Sequence, residues 1–262
     1  MSEFFKWEYV VSFFPKILSA LPTTLAIVAV ATAVGLVLGL AIAFVRIEKV
    51  PVLSQISQVF VSFIRGTPIL VQLFLVYYGL PIVFTALANI EKIDYVYITY
   101  GLNTAAFFSE IFRSAISSVA TDQKEAAASV GLTKLQTYRR IILPQAVRIA
   151  IPATGTMIVS LLQDTSLAFS LGVIDVIGKV RALAALTYRS LEGYFVAAII
   201  FIVLSIVLER VFAWLTKRFQ FQSKAKTEVT QAGLDPEILI KNDELFNTLN
   251  NSYFDFKPSE TA

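Results

Sequence analysis

The chain has 262 residues, 56% of them hydrophobic and 16% charged, with a mean hydropathy of +0.70. A soluble domain carries closer to a quarter charged residues, so much of this surface faces lipid. Histidine and cysteine are both absent, which excludes disulfides, thiolate metal sites, thiol nucleophiles, haem ligation by histidine and histidine acid–base catalysis. A carboxylate-only or Ser–Lys site stays open. The net charge of +3 is small and dispersed and gives no argument for nucleic acid.

Residues 1–16, MSEFFKWEYVVSFFPK, are too short and too charged to span a bilayer. Phe4, Phe5, Trp7, Tyr9 and Phe13 suit an amphipathic segment lying in the interface. The apolar run that follows has no small-residue cleavage site, which argues against a removable signal peptide. Residues 17–45 are free of charge and read as a first span. Gly35 and Gly39 have small-xxx-small spacing, which marks a packing seam or arises by chance in a helix rich in small residues.

A segment with apolar residues at Val59, Val61 and Phe63 leads to Arg65, and residues 66–90 are again uncharged, giving a second span. Gly66 and Pro68 allow a break where the chain enters the membrane. A third span runs from about Val96 to Ile116, with Glu110 and Arg113 in its last turns. Asn103, Ala106 and Glu110 fall on one face of it. A fourth runs from about Val147 to Val173 and is interrupted by Asp164, Thr165 and Ser166. A fifth covers about Gly193 to Leu215, with Glu209 and Arg210 near its end. Residues 219–262 shift to polar and acidic composition and read as a mostly disordered tail, with one short helix around 236–249.

Five spans put the termini on opposite sides. Arg46, Lys49, Arg65, Lys124, Lys134, Arg139, Arg140, Arg148, Lys217, Arg218, Lys224 and Lys226 share one side. The other holds about half as many, in Lys6, Lys16, Lys92, Lys179, Arg181 and Arg189. The positive-inside rule then places the amino terminus outside and the loop between spans three and four, with the carboxy terminus, in the cytoplasm.

In that loop Asp122 and Glu125 form a capping box that starts a helix at Gln123. Ala126, Ala127 and Ala128 extend it and keep its face flat. Gly131 stands where a left-handed C-cap belongs. Thr133 and Gln136 make a second capping box, opening a helix towards Pro144 with Leu132, Leu135 and Tyr138 on one face and Ile142 further along. On caps alone, a helical hairpin packed against the membrane domain fits better than a docking element.

The spacing Glu125-Ala126-Ala127, Gly131, Ile141, Leu143-Pro144 resembles the Glu-Ala-Ala signature of membrane-spanning subunits of ATP-binding cassette importers. Arg65-Gly66-Thr67-Pro68, Tyr77-Tyr78-Gly79-Leu80-Pro81, Glu110-Ile111-Phe112-Arg113, Pro144-Gln145-Ala146-Val147-Arg148 and Asp164-Thr165-Ser166-Leu167 are similar to the polar amino acid branch, which includes histidine, glutamine and cystine permeases. Leu171 to Gly178 leans towards the cystine type. The resemblance implies an all-α integral membrane protein of type I permease fold. It would have about five transmembrane helices over residues 17–218 and a cytoplasmic coupling helix-turn-helix over 119–146.

By the same resemblance the loop enters a groove on an ATPase subunit, where Glu125 meets a basic residue and Gly131 permits the turn. Asn103, Glu110, Thr156, Gln163, Asp164, Thr165 and Ser166 would line the substrate path. The chain departs from the branch in two places. Gln163 replaces the usual Lys before Asp-Thr-Ser-Leu, and Thr156 stands where an Asn is common. The first change makes the pocket more negative and favours cationic or multi-amine substrates. Glu110 paired with Arg113 and Asp164 capping a helix break remain the structural alternatives, and Arg65 reads as structural.

The implied partners are an ATP-binding cassette ATPase, a separate extracellular or periplasmic substrate-binding protein, a second permease subunit, identical or related, and membrane lipid. No phosphate-binding loop is present, so ATP is used by the partner. No cofactor, metal or enzymatic activity is expected of this chain. A self-sufficient secondary transporter or channel would want an internal repeat and paired carboxylates, and no convincing repeat is found. A membrane enzyme would have Ser166 as its nucleophile with no evident base.

Overall fold

In lipid every backbone N–H and C=O must find its partner inside the protein, so long charge-free runs become helices. The computed structural model describes residues 4–119 and 121–219, and every regular element among them is helical. In chain order these are α1 (Trp7–Leu18), α2 (Leu21–Ile47), α3 (Leu53–Gly66), α4 (Ile69–Val83), a 3-10 turn Thr85–Leu87 and α5 (Lys92–Ser117). Then come α6 (Thr121–Ser129), α7 (Lys134–Thr137), a π segment Tyr138–Ile142, α8 (Leu143–Asp164), a 3-10 segment Thr165–Leu171, α9 (Val176–Thr187) and α10 (Ser190–Phe219). The acidic tail expected over 219–262 lies outside the described residues apart from Phe219, which ends α10.

Among the described residues, three stretches are long and apolar enough to cross a membrane: α2, the run Lys134–Leu171 and α10. The second span is corrected. It is a bent pair, α3 and α4, turning through 117°. Pro68 forces Thr67 into an extended conformation (φ −121°, ψ 145°), which ends α3 there. Gln72 repairs the break. Its Nε2 lies 2.7 Å from the carbonyl of Ile64 and 2.9 Å from both the carbonyl and Oγ1 of Thr67. The stretch around Val59–Phe63 is therefore helix. Val59 and Phe63 are exposed and Val61 is buried, as a helical period requires.

The third expected span, α5, is 26 residues long and more polar than its neighbours. It tolerates this because α2, α4 and α8 enclose it. Tyr100, Ala105, Ala106 and Phe108 are fully buried. The glycines of α2 form a true seam with α5: a Cβ at Gly35 would lie 2.6 Å from Cγ2 of Thr104, and one at Gly39 would lie 2.8 Å from Cβ of Phe108. Absent side chains let the two backbones approach, which is how helices gain contact where lipid gives them no hydrophobic drive.

The amino-terminal segment is more than an interfacial strip. Val10, Phe13 and Ile17 of α1 bury against Val176 and Val180 of α9 and Val196, Ala197 and Ile200 of α10, while Phe4 and Trp7 stay exposed. Buried Glu192 accepts from the backbone N–H of Lys6 at 3.0 Å and from Arg189 at 3.4 Å. Helix α9 occupies a stretch with no expected element. Its signal was Asp175, whose Oδ1 accepts from the N–H of Gly178 at 2.7 Å as an N-cap.

Candidate functional site

The turn between α6 and α7 is built as its residues dictate. Gly131 takes φ +76°, the left-handed conformation that closes a helix. The N–H of Leu132 donates to the carbonyl of Ala127 and that of Gly131 to Ala128, both at 3.0 Å, making a Schellman motif. Thr133 and Gln136 then form the reciprocal box, with the Thr133 N–H reaching Gln136 Oε1 at 2.9 Å. The first helix begins at Thr121 rather than Gln123, so Asp122 stands within it, and the side chain of Asp122 lies outside the described residues.

The second helix differs from the separate short element expected. It passes through the π segment straight into α8. Pro144 has no N–H to offer the carbonyl of Arg140, and its ring crowds that carbonyl. The N–H of Leu143 reaches back to Tyr138 instead, one residue further than in an α-helix. Leu132, Leu135 and Tyr138 do not share a buried face. Leu135 is 77% exposed, whereas Tyr138 packs on Phe44 with ring centroids 5.6 Å apart.

The base of this knob is fastened. Ala127 and Ile142 are buried, the latter with Ala115, Ile116, Val119, Ala146 and Ala150. Gln123 and Gln145 exchange amide hydrogen bonds at 3.3 and 2.5 Å. Lys134 pairs with Glu48 just past α2, and the bond from Lys134 holds the Glu48 carboxyl below its ordinary range. The outer surface carries Glu125, Ala126, Pro144 and the apolar side chains of Val130 and Leu135, all exposed; Ile141 and Leu143 are half-buried. A rigid base under a small, flat, partly apolar tip is suited to insertion into a groove.

The expected substrate-path residues fall in separate places. Glu110 accepts from Arg46 of α2 at 2.7 Å and is paired with Arg113. It borders a cavity of about 290 Å³ with Arg65, Phe107, Ser114 and Ala153. The Arg65 guanidinium lies 5.7 Å from the Phe107 ring centroid. Asn103 is buried and donates from Nδ2 to Gln72 Oε1 at 2.9 Å, supporting the elbow. Asp164 ends α8, and its side chain makes no capping bond to the 3-10 segment that follows; its carbonyl accepts from the Tyr100 hydroxyl at 2.6 Å. Thr165 is buried, bonded to the Leu162 carbonyl, and Ser166 is half-buried.

Thr156 and Gln163 sit elsewhere again. They are exposed on α8 and, with Ser160, line a groove of about 350 Å³ whose other wall is Glu209, Phe212, Ala213 and Thr216 of α10. The structure thus groups Thr156 with Gln163, and Glu110 with Arg65, and joins neither set to Asn103. Gln72, Arg46, Glu48 and Glu209 were missed as site residues. The legible signal for Gln72 and Glu209 is a polar side chain inside an apolar run.

Residues 35–221 match the model of a family described as the inner membrane component of binding-protein-dependent transport systems. The chain belongs to this family. The permease is 45% identical over 201 residues to the probable amino-acid permease protein YxeN of Bacillus subtilis, covering 77% of this chain and 90% of that one. It is 41% identical over 225 residues to the L-cystine transport system permease protein TcyL of the same species, covering 84% and 94%. Among solved structures it resembles an amino acid ABC transporter crystallised with histidines, with TM-score 0.75 and 28% identity over 82% of this chain and 99% of that one. The permease is therefore a multi-pass cell-membrane subunit of an ABC importer, of a family that works with an ATPase and a substrate-binding protein. An autonomous secondary carrier is not favoured.

Proposed function

We propose that this permease imports polar amino acids by alternating access, cystine-like or cationic solutes among them, driven by two ATPase subunits bound beneath its loops. The observation that carries this reading is the knob from Glu125 to Pro144, a Schellman turn on a fastened base with Glu125 and Ala126 exposed at its tip. The loop and the carboxy terminus face the cytoplasm and the amino terminus faces outside, as the distribution of basic residues favours. Two permease subunits, identical or related, enclose the pathway. The chain itself hydrolyses nothing and needs no cofactor.

The path is placed along Thr156 and Gln163 towards Asp164, Thr165 and Ser166, with Asn103 and Glu110 bracing the helices behind it. The branch relatives support the solute class, since YxeN is a probable amino-acid permease and TcyL serves L-cystine. The test is uptake of labelled amino acids into proteoliposomes holding the permease, its ATPase and its receptor. Uptake is expected to require ATP and to be abolished by Glu125→Lys. Uptake that persists without the ATPase would sink the proposal.

A further inference from the structure

Glu209 is a carboxylate in a place where carboxylates are costly. Phe212 of α10 packs so closely on Gly155 of α8 that a Cβ there would lie 2.5 Å from its Cγ. Because α8 and α10 run in opposite directions, residues before Phe212 lie level with residues after Gly155. Glu209 is three residues before, so it stands beside Val159 and Ser160, and both line the same groove. At about 1.5 Å per residue, Val159 is roughly 24 Å along from Leu143. That is about two-thirds of the way along the run Lys134–Leu171, which is long enough to cross the membrane. A charge at such a depth faces the bundle interior or a watered path and serves a purpose there.

The surroundings say which purpose. Facing Glu209 across the groove are Thr156, Ser160 and Gln163, at i, i+4 and i+7 on the exposed stripe of α8, with Thr216 on its own helix. Three hydroxyls and an amide give neutral hydrogen-bonding partners, and among the described residues no basic side chain lines the groove. With glutamine at 163, the carboxylate is the single charge among the described residues of the groove. We propose that Glu209 is the residue that holds the ammonium group of the solute within the membrane-crossing part of the bundle. The carboxylate accepts charge-assisted hydrogen bonds, while the polar stripe takes the remaining groups of the amino acid. The inference rests on the importer reading and names the chemistry of its path.

The test is equilibrium binding of labelled lysine, glutamine, glutamate and cystine to the detergent-solubilised permease–ATPase complex without the receptor, for wild type, Glu209→Gln and Glu209→Asp. Glu209→Gln is expected to raise Kd roughly tenfold or more for every ligand that wild type binds, as loss of a charged hydrogen bond does. The fractional loss should be smallest for glutamate, whose own carboxylate the charge repels. Glu209→Asp should keep most of the affinity. Unchanged Kd values in Glu209→Gln would overturn the inference. So would separation of the permease pair by that variant on size exclusion, which would assign Glu209 to subunit contact. Wild type that binds none of the four while ATP-driven uptake proceeds would overturn the inference and leave the importer reading standing.

Discussion

Glu110 joins two helices because both its oxygens are engaged, one by Arg46 of α2 and one by Arg113 of its own helix. Its side chain is 24% exposed, so solvent screens it only in part. Replacement by Gln leaves two guanidinium groups facing each other with no counter-charge. The expected loss is about 1–3 kcal/mol, the usual cost of leaving such groups unpaired, read as a lower midpoint of thermal unfolding in detergent. A variant as stable as wild type would assign Glu110 to the solute instead. Glu48 offers a pH test. Its folded pKa is lowered from 4.5 by Lys134, so the attachment is complete above about pH 4.5 and is lost as pH falls through the depressed folded value. A spin label on the loop should therefore be as mobile in wild type as in Glu48→Gln only at acid pH, and less mobile near pH 7. Equal mobility throughout would show that the pair holds nothing.

At the scale of elements, two local choices set the loop's shape. Gly131 has φ +76° and nothing within 4 Å of the place a Cβ would occupy. Gly131→Val therefore strains the turn by about 1–2 kcal/mol while leaving the packed bundle untouched. It should reduce ATPase retention on purification without lowering the yield of permease. Pro144→Ala restores an N–H that Arg140 can accept, removing the reason for the π segment. The loop then shifts by one residue, about 100° around the helix, and ATP hydrolysis is expected to uncouple from uptake. Uptake per ATP unchanged in this variant would contradict that account.

The same elements show what the sequence made legible. Gly131, Thr133 and Gln136 act through neighbours a few residues away, so their pattern was readable in order along the chain. The elbow at Thr67 and Pro68 was half readable: the break was, but the 117° turn depends on Gln72 reaching back across it. The embrace of Glu110 by Arg46 and the groove shared by Thr156 and Glu209 depend on which helices become neighbours. Spacing within one helix carries no such information. The seam at Gly35 and Gly39 was ambiguous for the same reason, until Thr104 and Phe108 were found against it.

For the whole molecule, the parts form one line of force. The exposed tip at Glu125 and Ala126 stands on a base tied to α2 through Glu48 and Tyr138, and α2 is locked to α5 along its glycine seam. Movement imposed on the tip must carry the helices that surround the proposed path. The central claim is that this tip is where the ATPase binds. The chain contains no cysteine, so a single cysteine at Ala126 is its only thiol and is a clean site for a short cross-linker in the assembled complex. The account predicts a covalent permease–ATPase adduct at Ala126 whose yield changes when ATP is added, and none from a cysteine at Ser166. Efficient ATP-driven uptake by a complex whose Ala126 cysteine never cross-links to the ATPase would contradict it.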